Sequence, residues 1–133
     1  METLAKVENW NVVLKFLHKF ISKITVDGKL KSEILISAEE IFVNVARYAY
    51  SGSCGKILID ATFCPQKRIL YLKFKDQGVP FNPTKFSGPD THKSTEERKI
   101  GGLGIFMVKK MTDEMKYFYQ NGSNNLLIAK KIK

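Results

Sequence analysis

The chain has 133 residues, of which 44% are apolar and 26% are charged, and its formal net charge is +9. This length predicts one domain, residues 1–133, and the apolar content is typical of a soluble globular protein with one core. No apolar run approaches the ~20 residues that span a bilayer. No charged-then-apolar N-terminal segment directs export, so we expect a cytoplasmic protein without membrane contact.

The cysteines and the uneven charge limit the function further. Cys54 and Cys64 lie ten residues apart without histidine partners, which is not metal-site spacing and predicts buried free thiols. Residues 1–50 carry seven Lys/Arg and six Asp/Glu, a net +1, whereas residues 51–133 carry fifteen and seven, a net +8. A basic field attracts any anion, including nucleotide phosphates and acidic proteins. No recognition motif accompanies it, which argues against nucleic acid as the partner.

Helical periodicity dominates the first fifty residues. Residues 5–23 carry apolar side chains at helical spacing, and Asp27-Gly28 then breaks the pattern and starts a second helix. This second helix is predicted to run to about Ala49. A polar stripe lies opposite its apolar face. The stripe consists of Glu33, Ser37, Glu40, Asn44 and Arg47.

Strand patterns occupy most of the second half of the chain. Four segments read as strands: residues 56–63, 68–75, 115–120 and 125–131. Asn121-Gly122 lies between the last two segments and is a sequence typical of a tight hairpin turn. Between the two strand pairs lie a long irregular segment, residues 76–101, and a third helix from Gly102. The order α-α-β-β-loop-α-β-β predicts an α+β fold, a two-layer sandwich with helices on one face of a mostly antiparallel mixed sheet.

The second predicted helix carries an acid–amide pair, Glu40 and Asn44. A spacing of four residues places both side chains on one helix face, one turn apart. An asparagine carbonyl can bind Mg²⁺ beside phosphate and water, and a neighbouring carboxylate can orient or deprotonate an attacking hydroxyl. Such a pair is also common on solvated helix faces, so its functional interpretation depends on the clusters that follow. The adjacent Glu39 is predicted to be a surface charge.

Asp76 ends the second predicted strand and begins the string DQGVPFNP, residues 76–83. An ionised carboxylate only accepts hydrogen bonds, so it can bind the exocyclic amine of adenine and disfavour guanine, which has a carbonyl there. Gly78 permits a positive φ and a close approach of the chain to a ring. Residues 79–81 supply an apolar wall and Asn82 a polar contact. The alternative is an ordinary strand-ending turn, in which Asp, Gly and Pro are also favoured.

Four residues, Gly101, Gly102, Leu103 and Gly104, precede and open the third predicted helix. Helix-start amides and the helix dipole favour phosphate, and missing side chains permit its close approach. The chain has no Gly-x-x-x-x-Gly-Lys-Ser/Thr string, so this is not a P-loop site. A Gly-x-Gly turn can also serve only to pack a helix against a sheet.

In chain order, these three clusters resemble the N, G1 and G2 boxes of the ATPase superfamily that joins gyrase, the heat-shock chaperone, sensor histidine kinases and the mismatch-repair ATPase. The resemblance covers about residues 30–120 and is strongest to the anti-sigma-factor serine kinase branch. It implies a Bergerat-type fold that binds ATP and Mg²⁺ between helices and sheet under a mobile lid. It also implies that Glu40 is the catalytic carboxylate, that Asn44 is the magnesium ligand and that Arg98 reaches the β- and γ-phosphates. Many relatives carry His where this chain has Tyr48.

The resemblance also implies a biological role. A kinase of this branch phosphorylates a serine or threonine of a small anti-sigma-antagonist protein in a partner-switching circuit, binds a sigma factor in some states and forms a homodimer. The alternative is a non-catalytic module that senses ATP and regulates a protein partner, although binding alone needs no base such as Glu40. Nucleic-acid binding through the basic half is a third interpretation, which predicts a steep salt dependence.

Overall fold

The computed structural model describes residues 1–24, 26–85 and 102–132. Three helices lie in these ranges: α1 (Trp10–Ile21), α2 (Gly28–Tyr48) and α3 (Gly102–Met111). Five strands accompany them: β1 (Glu2–Leu4), β2 (Lys56–Cys64), β3 (Ile69–Asp76), β4 (Glu114–Gln120) and β5 (Ser123–Lys131). The predicted order of helices and strands is confirmed, with the short strand β1 added at the start.

The strands form one open sheet in the order β1-β2-β3-β5-β4. Every neighbouring pair of the described strands is antiparallel. The prediction of a mostly antiparallel sheet is confirmed, but the prediction that it also contains parallel pairs is wrong for these strands. The β4–β5 connection is the predicted hairpin. Asn121 and Gly122 both have positive φ, 54° and 75°, which a tight two-residue turn between twisted strands requires.

All three helices pack on one face of the sheet. The register aligns Ile59, Phe74 and Leu126 on neighbouring strands, and all three side chains are buried. They share a core with helix residues whose spacing follows the helical period: Val13, Leu17 and Ile21 from α1, Ile34, Ala38, Ile41 and Phe42 from α2, and Val108 from α3. The predicted two-layer α+β architecture is therefore confirmed.

The predicted helix bounds hold for α2 and fail for α1. Helix α2 begins where expected because the Asp27 side chain accepts a hydrogen bond from the Leu30 amide at 2.8 Å and caps the first turn. Helix α1 begins at Trp10 instead of residue 5, since β1 and a 3₁₀ turn, Val7–Asn9, occupy the preceding residues. None of the helices that the structure describes is long and apolar enough to cross a bilayer.

Both cysteines are free, as predicted, but neither is buried. Cys64 is partly covered, whereas Cys54 is exposed. The expectation of buried thiols was therefore wrong for both residues, and Cys54 lies in the polar loop between α2 and β2.

Candidate functional site

A cavity of about 270 Å³ opens between α2, α3 and the sheet. Its volume is close to the lower end of the ~300–1,000 Å³ that small-molecule sites occupy, and such sites combine an apolar wall with a few polar groups. The apolar wall consists of Ile41, Val45, Ala49, Phe74, Val79, Pro80, Phe81, Pro83, Ile105, Val108, Met115 and Leu126. The polar groups are Glu40, Asn44, Tyr48, Asp76, Tyr117 and Asn124.

Three residues from two different sequence clusters line this one cavity. Glu40 and Asn44 enter from α2, and Asp76 enters from the end of β3. Both α2 side chains are partly buried, whereas Glu39 is exposed, as predicted. Helical spacing and strand alternation therefore bring the acid–amide pair and the lone carboxylate to the same space.

The third cluster meets the first at the start of α3. A β-carbon built on Gly104 would lie 2.2 Å from Oε2 of Glu40, so the carboxylate rests against the bare backbone of this helix turn. Gly102 begins α3, and Leu103 is 66% exposed and lies outside the cavity wall. Gly101 and Arg98 lie outside the described residues.

The carboxylate of Asp76 is buried, with 6% of the residue exposed. Its Oδ1 accepts hydrogen bonds from the Gly78 amide at 2.9 Å and from Nδ2 of Asn124 at 3.0 Å. Burial raises the pKa of Asp76, and these two hydrogen bonds oppose that rise. In the described part of the chain both of these hydrogen bonds go to Oδ1, and the second oxygen can accept a donor inside the cavity.

Gly78 packs closely on the end of α2, and the positive φ that the sequence allowed is not adopted. It is not among the positive-φ residues, and no cavity-wall contact involves it. Instead, a β-carbon on Gly78 would lie 2.3 Å from the carbonyl oxygen of Ala49 and 2.4 Å from its β-carbon. The next amide, that of Val79, donates to the same carbonyl at 2.8 Å. The glycine therefore lets the loop pack on the C-terminal end of α2.

Asn82 lies next to the cavity but is not part of its described wall. Its Oδ1 accepts hydrogen bonds from the amide of Thr84 at 2.9 Å and from the Thr84 hydroxyl at 2.5 Å. These bonds fasten the start of a short 3₁₀ helix, Pro83–Lys85. Thr84 is held from the other side by Lys109 of α3, whose Nζ donates to the Thr84 carbonyl at 2.8 Å.

Two polar residues of the cavity wall, Tyr117 and Asn124, were missed by sequence reasoning. Asn124 is 6% exposed and lies directly opposite Asp76 in the β3–β5 register. Its Oδ1 accepts from the Phe81 amide at 3.1 Å and from the Tyr117 hydroxyl at 2.5 Å. Its Nδ2 donates to Oδ1 of Asp76 at 3.0 Å, to the Val79 carbonyl at 3.0 Å and to the Gly78 carbonyl at 3.3 Å. The predicted strand began at residue 125, one position later, so no alternation pattern placed Asn124 in the core.

The cavity offers oxygen donors of the kind that Mg²⁺ prefers. The Asn44 carbonyl and the Glu40 carboxylate both line it, and both are hard oxygen groups. Among the residues that the structure describes, no three or more His, Cys, Asp or Glu side chains form a metal cluster. This arrangement fits an ion that takes most of its ligands from phosphates and water, as Mg²⁺ does in nucleotide sites.

The open sheet, covered on one face by helices with a cavity between the layers, is the architecture of Bergerat-type ATPase domains. The family model for the histidine kinase-like ATPase domain matches residues 3–131. The chain belongs to the histidine kinase-like ATPase family. The superfamily indicated by the three sequence clusters is therefore confirmed.

Two curated relatives and one solved structure illustrate the similarity. A serine-protein kinase RsbW from Listeria monocytogenes is 27% identical over 95 residues, covering 68% of this chain and 59% of that protein. A serine/threonine-protein kinase BtrW from Bordetella bronchiseptica is 22% identical over 102 residues, covering 77% and 71%. A crystal structure of the RsbU and RsbW domains of a Mycobacterium tuberculosis protein superposes with a TM-score of 0.65 at 12% identity, covering 99% of this chain and 32% of that one. The match to the Listeria relative thus spans less than two thirds of its length.

Proposed function

We propose that this chain binds ATP with Mg²⁺ in the cavity between α2, α3 and the sheet, and transfers the γ-phosphoryl group to a serine or threonine of a small protein. The observation that carries this proposal is the convergence of Glu40, Asn44 and Asp76 on one cavity, with Gly104 against Glu40. The serine-protein kinase names of the relatives support the choice of a protein hydroxyl as acceptor.

The adenine would occupy the apolar part of the cavity. Asp76 would accept the N–H of the exocyclic amine through its second oxygen, which favours adenine over guanine. The backbone of residues 101–104 would face the phosphates, since helix-start amides favour anions. Arg98 would reach the β- and γ-phosphates, with Asn44 holding the metal ion that neutralises phosphate charge when it is bound.

Glu40 would orient and deprotonate the attacking hydroxyl. The hydroxyl oxygen forms a bond to the γ-phosphorus, the bond between that phosphorus and the β,γ-bridging oxygen breaks, ADP leaves, and the hydroxyl proton passes to the Glu40 carboxylate. Placement and electrostatics supply most of the catalysis in such transfers. A carboxylate that lies against the first turn of α3 is well placed for this role because that helix start is proposed to face the phosphates.

The direct test is incubation with γ-labelled ATP, Mg²⁺ and purified candidate antagonist proteins, followed by detection of labelled protein. Glu40→Gln should lower phosphoryl transfer by roughly 10²–10⁴-fold while the dissociation constant for ATP stays within a few-fold of wild type. Glu39→Gln is the matched control, because Glu39 is the exposed neighbour on the same helix. Equal transfer by both variants would refute the assignment of Glu40 as base.

The same experiment decides between kinase and sensor. ATP binding without transfer to any acceptor, in both the wild type and the variants, would leave a non-catalytic module that regulates a protein partner through its nucleotide state.

We also propose that residues 1–133 act as one ATPase domain, that the chain pairs as a homodimer and that its partners include an anti-sigma-antagonist protein and a sigma factor. Sedimentation equilibrium with and without ATP tests the dimer.

A further inference from the structure

The hydrogen bonds of Asn124 join three parts of the cavity wall. Its amide contacts the end of β3 at Asp76, the loop that follows at Val79 and Phe81, and β4 at Tyr117. Both polar atoms of the side-chain amide form hydrogen bonds with protein groups, since Oδ1 accepts two hydrogen bonds and Nδ2 donates. Asn124 is therefore saturated by protein groups and leaves little capacity for a ligand.

We propose that Asn124 is a positioning residue that sets nucleotide specificity: it fixes the Asp76 carboxylate and the 78–81 loop so that the second carboxylate oxygen meets the exocyclic amine of adenine. This inference rests on the proposed function, since it assumes that the cavity binds ATP. It deepens that function by assigning adenine selectivity to a residue that acts through Asp76 and not by touching the base.

The geometry explains why one amide can have this effect. Asp76 has two equivalent oxygens and a side chain that can rotate, so a single anchor on Oδ1 would leave the other oxygen free to swing. Two donors, the Gly78 amide and Nδ2 of Asn124, hold Oδ1 at 2.9 and 3.0 Å and define the plane of the carboxylate. The loop bearing Val79 is fastened by the same Nδ2 at 3.0 Å, so the acceptor and the wall beside it move together.

The charge of Asp76 depends on the same contact. Burial raises its pKa and the hydrogen bond from Asn124 lowers it. Among the described residues, the titratable groups near this carboxylate are acidic or phenolic: Glu40 and Tyr48 from α2, Tyr50 after α2 and Tyr117 from β4. No Lys, Arg or His side chain lines the described cavity wall. Removal of the Asn124 donor should therefore shift the titration of Asp76 toward higher pH.

The test compares Asn124→Ala with Asn125→Ala by calorimetric titration of ATP and GTP with the full chain. Asn125 is the matched control because it is equally buried, adjacent in β5 and directed to the opposite face of the sheet, where it faces Lys75 in the register. Asn124→Ala should weaken ATP binding by about tenfold at pH 7, more at pH 6 and less at pH 8.5, and reduce the preference for ATP over GTP by a similar factor. Asn125→Ala should change neither the preference nor the pH profile.

A second substitution keeps the inference testable if Asn124→Ala does not fold. Asn124→Asp preserves shape but places a second carboxyl group beside Asp76, and it can donate only when protonated. ATP binding by Asn124→Asp should therefore improve as the pH falls from 7.5 to 5.5, opposite in slope to Asn124→Ala. If both variants kept the wild-type preference for ATP over GTP and the wild-type pH profile of ATP binding, the inference would be overturned. ATP binding by the wild type would in that case still support the proposed function. Failure of wild-type protein to bind ATP would overturn both.

Discussion

The contact between Gly104 and Glu40 yields a sharp prediction for Gly104→Ala. The added β-carbon would lie 2.2 Å from Oε2 and 3.1 Å from Cδ of Glu40. Carbon–oxygen contacts settle at about 3.3–3.6 Å, so the carboxylate must move by about 1 Å. The far end of a glutamate side chain can move at small energetic cost, and alanine is favoured over glycine inside a helix by about 0.5–1 kcal/mol. Stability should therefore change little, or rise.

Catalysis should respond differently from stability. Misplacement of a reacting group by about 1 Å can lower a rate by about 10²-fold, so kcat for phosphoryl transfer should fall by roughly 10- to 100-fold. The dissociation constant for ATP should change less than kcat, since the added β-carbon points at Glu40 and the backbone amides proposed to face the phosphates are retained. The assay is steady-state phosphoryl transfer to the identified protein substrate, with ATP affinity measured by calorimetry. Gly28→Ala in the first turn of α2 is the control, because a β-carbon there meets nothing within 4 Å.

A double-mutant cycle separates positioning of the base from other effects. In a Glu40→Gln background, the carboxylate that Gly104 accommodates is already lost as a base, so Gly104→Ala should cause little further loss of transfer. If Gly104→Ala lowered transfer by the same factor in both backgrounds, its effect would be independent of Glu40 and the reasoning would fail. A parallel and equal loss of ATP binding would show that the added β-carbon acts on the proposed phosphate contact of residues 101–104 and not on the position of the base.

Three further substitutions test the loop and the buried acid. Gly78→Ala should lower the free energy of unfolding in urea by about 1–3 kcal/mol, because the new β-carbon meets the rigid backbone of Ala49 at 2.3 Å. Tyr50→Phe should cost about 1–2 kcal/mol in the same assay, since the Tyr50 hydroxyl donates to the Lys56 carbonyl and accepts from the Gln77 amide at 2.9 Å. The folded-state pKa of Asp76 is raised, so its contribution to stability is present at low pH and is lost as the pH rises through that pKa. Asp76→Asn should therefore stabilise the ATP-free protein more at pH 7 than at pH 4 in urea titrations, while abolishing measurable ATP binding.

The features that sequence predicted well are encoded by neighbouring residues. Helix α2 has a local cap at Asp27 and a continuous amphipathic pattern, so its bounds follow from a few adjacent side chains. The Asn121-Gly122 hairpin likewise needs only the turn residues and the alternation on each side. Helical spacing alone was enough to predict that Glu40 and Asn44 lie on one face. To predict that they share a cavity with Asp76, the packing of the helices on the sheet was needed as well.

The features that sequence missed depend on contacts between distant segments. Strand β1 is three residues long, and its pairing with β2 joins residues more than fifty positions apart, as in Glu2↔Leu58. The role of Gly78 is set by Ala49, and the role of Asn124 is set by a register that places it opposite Asp76. No local sequence pattern specifies a contact between residues so far apart in the chain. Spacing and propensity therefore predicted the main residues of the site but not the hydrogen bonds that support them.

The fold alone gives no reason for a carboxylate at position 76. The hydrogen bonds from Gly78 and Asn124 both go to Oδ1, and an asparagine carbonyl would accept them equally well. Burial in an apolar cavity penalises the ionised form and raises the pKa of Asp76. Asp76 is therefore a buried carboxylate with a raised pKa, held by hydrogen bonds on one oxygen and open on the other. Such a group lowers the stability of the fold, which is expected where it is kept as a hydrogen-bond acceptor for a ligand. If Asp76→Asn bound ATP as tightly as wild type, the carboxylate would have neither a structural nor a recognition role, and the adenine assignment would have to move to another group in the cavity wall.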